Sequence, residues 1–130
     1  MLGRARILLT IATCALATSA AAQVPAPTTA FDGTYAGVSR TLQGNIDADT
    51  MTRFCLPNSQ PPPLTIVNRV AQTKCPGGVT CDGTVNAQGV LIMRSSFGTR
   101  VDAQIDDHGT VRGRLNSYCS YQMVWQKNGK

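Results

Sequence analysis

Four arginines, Arg94, Arg100, Arg112 and Arg114, recur at even positions in a stretch where polar and apolar residues alternate. A guanidinium presents a planar fork of donors that fits a carboxylate or phosphate. Gathered on one sheet face, the four would make an anion patch for a carboxylate, a phosphate or an acidic polysaccharide. The competing reading is a charged outer face that keeps strands soluble and unaggregated. His108, the single histidine, lies in Asp106-Asp107-His108-Gly109 and is the one imidazole available for proton transfer. Catalysis would require a nucleophile and an orienting group to converge on it. No motif supplies them, and His108 falls in a turn, so no catalytic residue is expected and the chain reads as a non-enzyme. Cys55, Cys75, Cys81 and Cys119 contain no Cys-x-x-Cys pair and lie far in sequence from His108. They read as structural disulfides, with no metal site and no cofactor.

The arginines must be positioned by strands. Three glycine turns, Ala87-Gln88-Gly89, Ser96-Phe97-Gly98 and Asp107-His108-Gly109, punctuate the stretch from Asp82 to Lys127. Each fits a three-residue hairpin loop whose last residue is left-handed. Asn86 then faces Val90, Ser95 faces Thr99 and Asp106 faces Thr110. Counting outward puts Val85, Leu91, Ala103 and Gly113 in one apolar row and Gly83, Met93, Val101 and Leu115 in the next. Asp82, Arg94, Arg100 and Asn116 lie on the other face, beside Thr84, Ile92, Asp102 and Arg114, then Asn86, Val90, Gln104 and Arg112. A one-residue slip would exchange the faces, so agreement of three turns fixes the register. Asp102 is expected to pair with Arg114 and Asp82 with Arg94. In the last strand Cys119, Tyr121, Met123 and Trp125 share the apolar side. A loop at Asn116-Ser117-Tyr118 would set Leu115 opposite Cys119 and Tyr121 over Gly113.

The chain begins with Arg4 and Arg6, an apolar run from Ile7 to about Ala17, and small residues to Ala22. This is the order of a secretory signal peptide, residues 1–22, with cleavage before Gln23. The run is too short for a transmembrane span. Without residues 1–22 the chain keeps ten Lys and Arg against seven Asp, a net charge of +3, with four cysteines and no long basic run. Nucleic acid is therefore not an expected partner. Residues 23–30 read as a proline-containing linker, 31–127 as a single β domain and 128–130 as a tail. Phe31 to Ser39 suggests a first strand, and Leu64 to Thr73 a second with a kink near Asn68-Arg69. Asn45 to Thr50 reads as a loop, and Gln60-Pro61-Pro62-Pro63 as a stiff connector. Tyr35, Tyr121 and Trp125 are expected in the core, with a ligand pocket as the alternative.

Four cysteines allow three pairings. Cys81 opens the first meander strand and Cys119 the fifth, about 19 Å apart in an open sheet, whereas a disulfide needs alpha carbons within about 7 Å. Cys75 with Cys81 and Cys55 with Cys119 is therefore the favoured set.

Phe31-Asp32-Gly33-Thr34-Tyr35, Pro63-Leu64-Thr65-Ile66-Val67-Asn68, Gly109-Thr110-Val111-Arg112-Gly113 and Cys119-Ser120-Tyr121 with Trp125-Gln126-Lys127 span nearly all of the chain after residue 22. With these segments it resembles a group of small exported alphaproteobacterial proteins of unassigned function. The resemblance implies export and one domain, and carries no site residues. The fold expected is all-β: an antiparallel meander of six to seven strands with two disulfides, open or curled into a small closed or half-open barrel. The function expected is an exported, periplasmic or secreted, non-enzymatic binding or envelope-associated protein, whose partner would be an acidic glycan or an envelope protein. The alternative is an inhibitor of a secreted hydrolase or protease, acting through the Pro61 to Pro63 and Cys75 to Cys81 loops.

Overall fold

The computed structural model describes residues 3, 29–43 and 55–128. The expected signal peptide apart from Gly3, most of the linker, the loop from Asn45 to Thr50 and the last two residues of the tail lie outside the described residues. Eight antiparallel strands run in chain order and close into a barrel: β1 (Gly33–Gln43), β2 (Leu64–Val67), β3 (Val70–Lys74), β4 (Thr80–Val85), β5 (Val90–Arg94), β6 (Arg100–Ile105), β7 (Thr110–Asn116) and β8 (Ser120–Lys127). Among the described residues no helix is long and apolar enough to cross a membrane.

The register of β4 to β7 follows from the three glycine turns. Asp82 lies opposite Arg94, Arg94 opposite Arg100, Asp102 opposite Arg114 and Ala103 opposite Gly113. Gly89, Gly98 and Gly109 take φ of 81°, 87° and 78°, the left-handed conformation each loop requires. A second device operates in all three turns. Asn86 Oδ1 accepts from the amides of Gln88 and Val90, Ser95 Oγ from Phe97 and Thr99, and Asp106 Oδ1 from His108 and Thr110. A short polar side chain at the first position thus satisfies two turn amides that the ladder leaves unpaired.

Three expectations need correction. The segment from Leu64 to Thr73 is two strands, because Asn68 and Arg69 adopt φ of 49° and 68° and turn the chain back in a two-residue hairpin. This makes the strand count eight. Next, β1 begins at Gly33 and continues to Gln43, with a bulge between Gly37 and Ser39. Finally, Leu115 faces Tyr121 and Gly113 faces Met123, so the β7–β8 loop is Ser117-Tyr118-Cys119. That loop lies two residues away in register from the expected pairing, an even number, so the same residues still point inward.

The barrel interior is packed. Trp125, Tyr35, Tyr121, Leu64, Ile66, Leu91, Met93, Leu115 and Met123 are each less than 2% exposed. Eight strands enclose a space that side chains of this size fill, so the function must be sought at the ends and on the outer wall. Close backbone approach is permitted by glycine: a Cβ at Gly83 would collide with the backbone of Ile92 and Met93.

The disulfides are Cys55–Cys119 and Cys75–Cys81, with alpha carbons 5.8 and 5.9 Å apart. Both lie at the end of the barrel that carries the β3–β4, β5–β6 and β7–β8 loops. Residues 55–63 close this end and fill the gap where β1 leaves β2. Ser59 pairs with Arg40, the Leu56 amide donates to Tyr121 Oη at 2.8 Å, and the Leu42 amide donates to Asn58 Oδ1 at 2.8 Å.

Candidate functional site

The outer wall of β5, β6 and β7 brings Arg94, Arg100, Arg112 and Arg114 onto one face, as their even positions require. Arg94 and Arg100 are direct cross-strand neighbours. Arg112 and Arg114 stand two residues apart on β7, about 7 Å along the strand. Arg94, Arg112 and Arg114 are exposed, and Arg100 is half-buried.

The charge pairing inside this patch differs from expectation. Asp102 lies opposite Arg114 but binds Arg100, its neighbour two residues back on β6, through two parallel bonds of 2.8 Å. The fork of one guanidinium matches both carboxylate oxygens, a geometry the cross-strand partner does not achieve here. The hydrogen bonds to Arg100 hold the Asp102 carboxyl below its ordinary value, assisted by the charges of Arg100 and Arg94 and opposed by partial burial. The same bond raises the Arg100 guanidinium. Asp102 therefore offsets the repulsion between Arg94 and Arg100. Among the described residues no carboxylate lies within 4.0 Å of Arg94, Arg112 or Arg114. Three exposed guanidinium groups thus keep their donors for solvent or for an anion.

A second region lies at the opposite end, where barrel closure brings the β6–β7 turn beside β1 and β8. Phe31, Tyr35, Ile105, Asp106, Asp107, His108 and Lys127 line an open pocket of about 400 Å³. His108 Nε2 stands 3.6 Å from Asp107 Oδ1, with both side chains at least 85% exposed. Lys127 Nζ lies 5.9 Å from the centre of the Tyr35 ring, and Tyr35 Oη donates to the Phe31 carbonyl at 2.6 Å. Burial, with a smaller contribution from Asp32, raises the Tyr35 hydroxyl above its ordinary value. Asp106 Oδ1 is committed to two turn amides. Among the described residues, no serine or cysteine lines this pocket. Lys127 and Phe31 join His108 only because β1 pairs with β8, a contact without any local signature in the sequence.

At the disulfide end, Leu56, Pro76, Gly77, Ser117, Tyr118, Cys119 and Tyr121 surround an apolar hollow of about 340 Å³. Tyr35, Tyr121 and Trp125 are core residues, as expected, and the two tyrosines also reach the pockets at either end. The proline connector is clamped to the barrel. Trp125 Nε1 donates to the Pro62 carbonyl at 2.9 Å, Thr73 Oγ1 to the Pro63 carbonyl at 3.0 Å, and Pro61 is buried over Gly37. Of the two loops considered for an inhibitor, Cys75 to Cys81 is exposed at its tip, Gly77 and Gly78, while the proline run is exposed only at Pro63 and held by its carbonyls.

Arg40 escaped the sequence reading. It is 9% exposed, donates to Ser59 Oγ at 2.6 Å and stacks 5.6 Å from the Tyr121 ring centre, while its Nε has no hydrogen-bond partner among the described residues. The bulge at Val38 switches the parity of β1, so that Tyr35 and Arg40 both face inward. Among the described residues no group of three or more His, Cys, Asp or Glu side chains could hold a metal ion.

The fold and these sites define a small, disulfide-bonded, eight-stranded β barrel with a filled interior and a basic outer wall. No family model, no curated protein and no solved structure matches the chain. The two disulfides belong with an oxidising compartment.

Proposed function

We propose that the protein is an exported, non-enzymatic binding protein, periplasmic or secreted, whose β5–β7 wall holds an acidic ligand. The observation that carries this reading is the set of three exposed arginines, Arg94, Arg112 and Arg114, without a carboxylate in ion-pair reach among the described residues. The signal-peptide pattern of residues 1–22 and the resemblance to exported alphaproteobacterial proteins support export. The packed interior directs binding to the surface.

The test is the affinity of the oxidised protein for heparin, used as an acidic-glycan probe, at low and high salt. Binding should weaken with salt and fall in Arg94→Ala with Arg114→Ala, a pair chosen because Arg100 already has Asp102. Binding that ignores both salt and these substitutions would remove the arginine wall as a site.

A second reading, an inhibitor of a secreted hydrolase, is favoured by one observation: the Cys75–Cys81 disulfide presents Gly77 and Gly78 at the tip of a closed loop. Inhibition of a protease panel that is lost on changing this loop would replace the first reading.

A further inference from the structure

The basic wall runs up to the two most exposed large apolar side chains described, Phe97 at 79% and Tyr118 at 75%. Phe97 tips the turn that joins β5 to β6, directly beyond Arg94 and Arg100. Tyr118 tips the neighbouring loop joining β7 to β8, beyond Arg114, with Arg112 two residues further down β7 toward the opposite end. Phe97 therefore stands above Arg94 and Arg100, and Tyr118 above Arg114. Leu56, 42% exposed, adds apolar surface on the same rim. Single exposed apolar residues are ordinary on protein surfaces. Two aromatic tips on adjacent loops, each with a basic collar below, form an ordered arrangement. It matches the layers of a membrane surface, where aromatic rings sit at the boundary and phosphates lie above it.

We propose that the acidic partner of the arginine wall is the phosphate surface of an anionic bilayer, with Phe97 and Tyr118 entering the interface and the arginines meeting the headgroups. This rests on the arginine-wall reading and names its partner. Charge complementarity selects an anionic surface over a zwitterionic one. The tips belong to separate hairpin loops, a placement that suits a broad surface better than a single peptide strand. The barrel touches this surface by its rim and wall, with no strand crossing it.

The experiment is vesicle sedimentation with the oxidised chain from Gln23, which contains all eight strands of the closed barrel and lacks the apolar run at Ile7 to Ala17. Vesicles of phosphatidylglycerol mixed with phosphatidylcholine should bind it, pure phosphatidylcholine should not, and salt should weaken the binding. Arg94→Ala and Arg114→Ala should each lower partitioning about fivefold. Phe97→Ser should lower it about tenfold, while leaving heparin binding unchanged. The exposed position of Phe97 keeps this variant folded. Absence of binding to the anionic vesicles overturns the proposal. If heparin is still bound through the arginines in that case, the wall remains an anion site and the bilayer alone is excluded. If heparin is not bound either, both readings fall. Binding to vesicles that is indifferent to Phe97→Ser, or capture of an envelope protein in place of lipid, also overturns it.

Discussion

The indole Nε1 of Trp125 donates to the carbonyl of Pro62 at 2.9 Å, joining the interior of the last strand to the proline connector across a separation of 63 residues. Thr73 Oγ1 holds the next carbonyl, that of Pro63, at 3.0 Å. The connector lacks three backbone amides and cannot join a ladder through them. These side chains supply the attachment that the ladder cannot. Trp125→Phe would keep a six-membered ring in the core and leave the Pro62 carbonyl only the longer contact of Thr73 Oγ1, 3.4 Å, costing about 1–3 kcal/mol. Urea unfolding followed by circular dichroism measures this. An unchanged midpoint would show that the bond does not hold the connector.

The two disulfides close loops of very different size, with sequence separations of 64 and 6. Loop-closure entropy gives about 4 kcal/mol for the longer and about 2 kcal/mol for the shorter. Cys55→Ala with Cys119→Ala should therefore lower the unfolding midpoint more than Cys75→Ala with Cys81→Ala. The reverse order in a denaturant series would place the stabilisation in the native contacts of the short loop.

Among the three turns with a side-chain acceptor, only the one built on Asp106 can titrate in acid. The hydrogen bond from the Thr110 amide, with that from the His108 amide and the charges of His108 and Arg112, holds its carboxyl below the ordinary value against an opposing desolvation effect. A carboxyl lowered on folding contributes stability above its unfolded value, and loses that contribution as pH falls through the folded one. The amide shifts of His108 and Thr110 should move at a pH below the usual aspartate range, while those of Gln88 and Val90 around Asn86 stay constant. Asp106→Asn should keep the turn and abolish the movement. A titration at the ordinary aspartate pH would contradict the bonded geometry.

Arg69 adopts φ of 68° at the second position of the β2–β3 turn, where a side chain crowds the backbone. Arg69→Gly should raise stability by about 1 kcal/mol. Thermal unfolding reads the change, and a lower melting temperature would mean that the Arg69 side chain contributes more than its backbone costs.

The same turn explains where sequence reasoning stopped. The register of β4 to β7 was legible because Gly89, Gly98 and Gly109 mark three loops of equal length. Asn68-Arg69 carries no glycine, so a two-residue hairpin resembled a kink within one strand. The β7–β8 loop also lacks a glycine, leaving two registers that both keep Tyr121, Met123 and Trp125 inside. Arg40 was hidden by the bulge at Val38, which reverses inward and outward positions without changing composition. Closure of β1 on β8 depends on distant residues, so the meeting of Lys127, Tyr35 and His108 had no local signal. The arginine wall was legible because it needs only strand parity, whereas the Arg100–Asp102 pairing depends on side-chain geometry along β6.

The most direct test of the arginine wall is a residue-resolved amide-shift titration of the oxidised protein with a heparin oligosaccharide. The changes should concentrate at Arg94, Arg112, Arg114 and their neighbours on β5 to β7, and salt should reverse them. Changes concentrated instead at Tyr35, His108 and Lys127, or an absence of change at saturating oligosaccharide, would contradict a site on the arginine wall.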